Sequence, residues 1–137
     1  GSGECSSGNL CTPGTHVVMN GILFTPYCVN FNSKTYHGDQ WVRAEALVLG
    51  DSVIKHIIEG DTVLTYHKPQ YEGNDKWVKH ANFQGSKTIA GGTISLQSES
   101  HTVEFKKVAL FNLAPYLNDS QKLQTMLQQL SRRTEKR

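Results

Sequence analysis

From His37 to Pro69 the chain alternates apolar and polar positions in three runs rich in β-branched residues, Trp41 to Leu49, Val53 to Ile58 and Thr62 to Tyr66. Tight glycine-containing turns part them at Gly50-Asp51 and Glu59-Gly60. Period-two runs joined by such turns predict an antiparallel meander, the building unit of sandwiches and barrels. Upstream, His16 to Met19 and Ile22 to Thr25 predict two short strands joined by Asn20-Gly21, residues suited to a type I′ turn. Downstream, Thr93 to Gln97 and Val103 to Leu113 predict two more, with the apolar phase slipping at Lys106-Lys107 as a β-bulge would make it. After Pro115 the period changes. Leu123, Met126, Leu127 and Leu130 follow the helical i, i+3, i+4, i+7 spacing, and Asn118, Asp119 or Ser120 can cap the start.

In the first meander strand Val42, Ala44, Ala46 and Val48 share one side and Arg43 and Glu45 the other, so one face is core and the other is at least partly wet. In the second strand Lys55 adjoins His56, so one polar group on the core side must snorkel or find a partner. The first turn holds two or three residues, which leaves the register open. Gly1 to Thr15 should be irregular, Asn30 to Gly38 forms a polar connection, and Tyr71 to Gly92 forms a long polar loop with anchors at Trp77 and Phe83. Loops of that length are often lids or binding loops. The chain thus reads as an irregular Cys/Gly/Ser-rich segment over 1–15, a β domain over 16–115, and a C-terminal helix with a basic tail over 116–137.

A length of 137 residues suits one core. The net charge of +2 creates no field that steers the chain to nucleic acid or to a membrane, and neither is expected as a partner. Arg132, Arg133, Lys136 and Arg137 read as a solvated tail. No apolar run reaches the length of a membrane span, and no signal-peptide pattern follows the opening Gly1-Ser2-Gly3. Cys5, Cys11 and Cys28 allow one disulfide plus a thiol, or three reduced thiols. A Cys11–Cys28 bridge would contribute roughly 3 kcal/mol by loop closure. No fourth ligand at finger-like spacing points to zinc.

Two stretches, GDQWVRAEALVLGDSVIKHIIEGDTVLTYHKPQ and GGTISLQSESHTVEFKKVALFNL, carry motifs in order: Gly38 with Trp41, His56 with Gly60, and Leu96-Gln97 followed by Val103, Phe105 and Lys106. Over roughly residues 9 to 113 this resembles the C-terminal part of the 3-keto-disaccharide hydrolase-like family. The resemblance implies an all-β fold: an antiparallel β-sandwich of jelly-roll, concanavalin-like type, shortened at the N-terminus and carrying one C-terminal α-helix. It also implies a saccharide ligand and, for the family, export to a periplasmic or extracellular compartment. Relatives begin with further strands, so the expected sandwich is patched by its helix or pairs with another chain through an edge strand or that helix. Many relatives carry Gln-Asp-His where this chain has Gln97-Ser98-Glu99, with His101 displaced.

A ketone at C3 acidifies the proton at C2, so the glycosidic bond can break by elimination and water addition, given a base at C2 and an acid at the leaving oxygen. Plain hydrolysis would need two carboxyls roughly 5 to 10 Å apart. For the elimination this chain offers Glu99, His101 and His56 as catalytic groups. Gln97, Trp77, His37 and Glu45 are the substrate-binding candidates. In an extended backbone Gln97, Glu99 and His101 project to one side. A solvated strand end explains that trio too, and His56 beside Ile54, Ile57 and Ile58 also reads as a hydrogen-bonded core histidine. Trp41 and Tyr66 read as core packing, and Trp77 as a ring for stacking on a sugar. No cofactor is expected and no metal ligands are nominated; sandwiches of this type can hold Ca²⁺ through loop oxygens, but nothing in the sequence demands it. A non-catalytic carbohydrate-binding module and an oligomerising structural fragment are the rival readings.

Overall fold

In a computed structural model of the chain, Asn20 and Gly21 adopt φ of 51° and 77°, and Glu59 and Gly60 adopt 51° and 88°. Doubly positive φ is the mark of the type I′ turn, whose twist matches the strands it joins. Residues 7–30, 33–73, 88–98 and 102–135 are described. They fall in two units, Gly1–Gly92 and Thr93–Arg137.

Among the described residues the first unit holds seven strands: β1 (Leu10–Cys11), β2 (Thr15–Met19), β3 (Ile22–Phe24), β4 (Cys28–Val29), β5 (Ala44–Leu49), β6 (Val53–Ile58) and β7 (Asp61–Tyr71). β1 pairs with β4, and the others form a five-stranded sheet of order β3-β2-β7-β6-β5. All pairings are antiparallel. The meander stands as expected, with its last strand continuing to Tyr71 and its first turn spanning three residues between Leu49 and Val53. The described chain is therefore all-β in two antiparallel sheets with one C-terminal helix, in keeping with the expected sandwich class. Leu10–Cys11 is a short strand inside the stretch expected to be irregular. It is clipped by a Cys11–Cys28 disulfide, one of the two states the cysteine count allowed. Cys5 lies outside the described residues.

Register places the core. Ile54, His56 and Ile58 of β6 lie opposite Val48, Ala46 and Ala44 of β5, so these six share one face. Val17, Ile54, Ile58 and Leu64 are buried there, Val17 at 1% exposure and Leu64 at 2%. Burying a side chain of that size from water stabilises by about 1.5–3 kcal/mol. Val48 shares this face yet is 51% exposed, because β5 is the edge strand of the sheet. Trp41, expected in the core, is 58% exposed, since it precedes that edge strand in irregular backbone.

β7 carries two irregularities. One inserts Val63 between the Ile57–Thr62 and His56–Leu64 pairs. The second falls where Val18 pairs with His67 and His16 with Gln70, beside Lys68 at φ 46°. The amide of Lys68 donates to the Asp51 carbonyl at 2.7 Å, and His67 Nδ1 lies 2.5 Å from the Ser52 carbonyl. Both contacts strap the β5–β6 turn onto β7. Past Tyr71 the chain returns to β7 at a bridge between Gln70 and Thr88, with the Ile89 amide donating to the Pro69 carbonyl at 2.7 Å. The anchors Trp77 and Phe83 lie outside the described residues.

In the second unit, 93–98 and 102–113 fall in no strand, contrary to expectation, and Lys106 marks a bend instead of a bulge. Ile94 is 77% exposed and Leu110 84%. Alternation makes a strand only where a second backbone meets it, and none of the described strands pairs here. A 3₁₀ turn over Ala114–Tyr116 leads to α1 (Ser120–Glu135). Of the three expected caps, Asp119 serves: its Oδ1 accepts from the Gln121 and Lys122 amides at 3.1 and 3.0 Å, and its Oδ2 lies 3.3 Å from Lys122 Nζ. Leu123, Met126, Leu127 and Leu130 are the half-buried stripe that their spacing predicts. Among the described residues no helix is long and apolar enough to cross a membrane.

Candidate functional site

His56 sits at the centre of the core face and solves the polar-group problem that the Lys55-His56 pair posed. Its Nδ1 lies 2.9 Å from the Gly8 carbonyl oxygen, and its Nε2 lies 3.3 Å from the Tyr66 hydroxyl. The Tyr66 ring meets it edge-on, centroids 5.5 Å apart and planes at 85°. A carbonyl only accepts, so Nδ1 carries the proton. In the neutral ring Nε2 then holds a lone pair and accepts from Tyr66, and a basic nitrogen results. Burial pushes the Tyr66 phenol above its ordinary value and keeps it a neutral donor.

Local structure brings these groups together. The inserted Val63 shifts the ladder so that Leu64, rather than Val63, faces His56, and Tyr66 then falls diagonally beside it on the same face. Gly8 arrives from the chain leading into β1 at φ 83°, so close that a Cβ there would lie 2.7 Å from Val63 Cγ2 and 3.2 Å from Ile58 Cγ1. Only glycine lets the backbone approach this closely in that conformation. The Ser33 hydroxyl donates to the Ser7 carbonyl and tethers the same segment one residue earlier.

The remaining sequence-nominated residues stand elsewhere. Glu45 pairs with Ile57 whereas Ala46 pairs with His56, so Glu45 occupies the opposite face of the sheet. Its Oε2 lies 3.6 Å from Arg43 Nε, too far for a hydrogen bond, and that buried Nε has no hydrogen-bond partner among the described atoms. The Arg43 amide donates to Glu59 Oε1, and the Glu59 amide returns a 3.0 Å bond to the Arg43 carbonyl. These groups close the open end of the β5–β6 ladder. His37 is exposed in the connection before β5, where its carbonyl accepts from Gln40 Nε2 at 2.5 Å. Gln97 is exposed in the second unit. Trp77, Glu99 and His101 lie outside the described residues.

Tyr66 and the Gly8 carbonyl are the partners that the sequence reading missed. Tyr66 would have been found only with the Val63 bulge in hand, and Gly8 contributes a main-chain atom that no motif marks. Two shallow grooves, one of about 250 Å³ beside Met19 and Thr62 and one of about 500 Å³ along the first turns of α1, are lined by none of the nominated residues. Among the described residues no three of His, Cys, Asp and Glu gather as metal ligands would.

An imidazole with a positioned lone pair beside a neutral phenol donor can take a proton from carbon while the donor faces the oxygen that gains charge. No curated protein and no solved structure matches the chain. A protein-family match spans residues 3–110, covering both sheets and the His56 pair, and on that match the chain belongs to the 3-keto-alpha-glucoside-1,2-lyase-like domain family.

Proposed function

We propose that this carbohydrate-related domain cleaves 3-keto-glycosides by elimination, with His56 as the base. His56 Nε2 takes the C2 proton of the keto sugar, and the C–H electron pair forms an enolate across C2 and C3. The Tyr66 hydroxyl turns from Nε2 to the oxygen at C3 and donates to it as charge develops. The enolate expels the oxygen at C1, which leaves as the alcohol once protonated, and a double bond forms between C1 and C2. Addition of water to that bond would complete a net hydrolysis. The observation that carries this reading is the His56–Tyr66 pair at 3.3 Å, in a chain whose family match names a 1,2-lyase-like domain. At 3.3 Å that O–H···N contact is long for a hydrogen bond and is readily exchanged for a substrate.

The test is incubation with 3-keto-trehalose and 3-keto-lactose, followed by release of the monosaccharide and absorbance of the enone. His56→Gln, a polar replacement that fills much of the same space, is expected to abolish both signals. Parent-like turnover in a folded His56→Gln protein would remove the base from the scheme.

The 58% exposure of Trp41 favours a second reading, a non-catalytic module that stacks a sugar on that ring. It requires glycan affinity that survives His56→Gln and falls with Trp41→Ala.

A further inference from the structure

We propose that the Cys11–Cys28 disulfide sets which ring nitrogen of His56 carries the proton, by holding the Gly8 carbonyl against Nδ1. This deepens the reading of His56 as the base and rests on it for the consequence on turnover, but the proton's position can be read with no substrate present.

β1 and β4 are two residues each, and their ladder consists of Leu10 opposite Val29 and Cys11 opposite Cys28. A two-stranded ribbon that short does not hold itself together in water. Its covalent tie is the disulfide, and Gly8 lies three residues before Cys11 on the same strand approach. Further tethers of this stretch include the Ser33 hydroxyl on the Ser7 carbonyl and the Thr12 amide on the Tyr27 carbonyl at 2.8 Å. Water can replace either hydrogen bond, whereas it cannot replace the covalent one.

Both cysteines are exposed, so a dissolved thiolate can reach the sulfur atoms. Reduction breaks the S–S bond and forms two thiols. The two electrons and two protons come from a dithiol reductant, which closes to its own cyclic disulfide. With the clip open, the Gly8 carbonyl leaves Nδ1, and the proton is free to sit on either nitrogen. A ring protonated at Nε2 presents a donor where the proposed reaction needs a lone pair.

The experiment uses the full chain with Cys5→Ser, so that one cysteine pair alone responds. Nitrogen-15 spectra of the histidine side chains are recorded oxidised and after dithiothreitol, with thiol titration confirming reduction and the amide signals of β5, β6 and β7 confirming the sheet. Oxidised protein should show His56 as the Nδ1–H form, and reduced protein a mixture of the two forms. Cys11→Ser/Cys28→Ser should show the same mixture without reductant. An unchanged ring in a protein with both thiols titrated would overturn the proposal. Loss of the sheet signals in both the reduced protein and the double variant would overturn it as well, since the bridge would then maintain the fold and not the ring. A responding ring combined with full turnover in His56→Gln would strike the proposed base and leave the redox effect standing.

Discussion

Replacing Gly8 by alanine tests whether the segment ahead of β1 is seated on the core face. Gly8 has φ 83°, where an L-residue is disfavoured by roughly 1–2 kcal/mol. The new Cβ would sit 2.7 Å from Val63 Cγ2, well inside the 3.5–4.0 Å optimum for carbon pairs. Valine is stiff at χ1 and Ile58 behind it is 7% exposed, so the relief must come from the Gly8 backbone backing away. That retreat breaks the 2.9 Å contact with His56 Nδ1, a loss of about 1 kcal/mol. Against this, alanine reduces the freedom of the unfolded chain by about 0.4–1 kcal/mol. The net expectation is destabilisation of about 2 kcal/mol, a fall of roughly 1–2 M in the urea midpoint.

Tryptophan emission follows the unfolding of the first unit, which contains both tryptophans. Gly21→Ala is the internal control. Gly21 has φ 77° with nothing within 4 Å of an added Cβ, so that variant carries the backbone cost without the contact. The difference between the two variants isolates the seating of Gly8. A Gly8→Ala midpoint no lower than that of Gly21→Ala would refute the packing of residue 8 against Val63 and Ile58.

Leu64→Ala should destabilise by about 2–5 kcal/mol, measured by the same denaturation, because a side chain at 2% exposure leaves a cavity that its neighbours cannot fully close. Tyr66→Phe should cost about 1 kcal/mol by removing the partner of His56 Nε2. It should also flatten the alkaline limb of the stability profile. The folded phenol titrates above its unfolded value, so its contribution is full below the ordinary phenol value and is lost as pH rises through the raised one. Asp119 gives the opposite sign. Hydrogen bonds from the Lys122 amide and side chain hold its carboxyl below the usual range, so its contribution is present above the ordinary carboxylate value and is lost as pH falls through the lowered one. Helicity by circular dichroism should therefore decline in acid, and Asp119→Ala should lower helicity at neutral pH and remove that decline.

What could be read from the chain beforehand was local. Asn20-Gly21 and Glu59-Gly60 specify their turns within two residues, so β2, β3, β6 and β7 were placed with their reversals. The helix followed from its own stripe and cap. Residues 93–113 carry an alternation as good as that of β5, yet whether they become strands depends on a backbone far along the chain. The site failed to be legible for a related reason. With the Glu59-Gly60 turn alone, His56 would face Val63, and Tyr66 would lie on the other side of the sheet; one inserted residue moves Tyr66 beside His56. Nor does composition reveal that the main-chain oxygen of Gly8, 48 positions earlier, supplies the second contact.

β7 pairs through Asp61–Tyr66 with β6 and through His67–Tyr71 with β2, so the two neighbouring hairpins never bond to each other directly. This divides the order of assembly. β2–β3 and β5–β6–β7 each close over a few residues and can form early, while joining them requires Val18 to find His67 across a loop of about 50 residues. The join is the slow, late step, so losses of stability in the half of β7 before the Lys68 kink, whose pairs with β6 are already in place, should retard folding, while equal losses in the half beyond it should mainly speed unfolding.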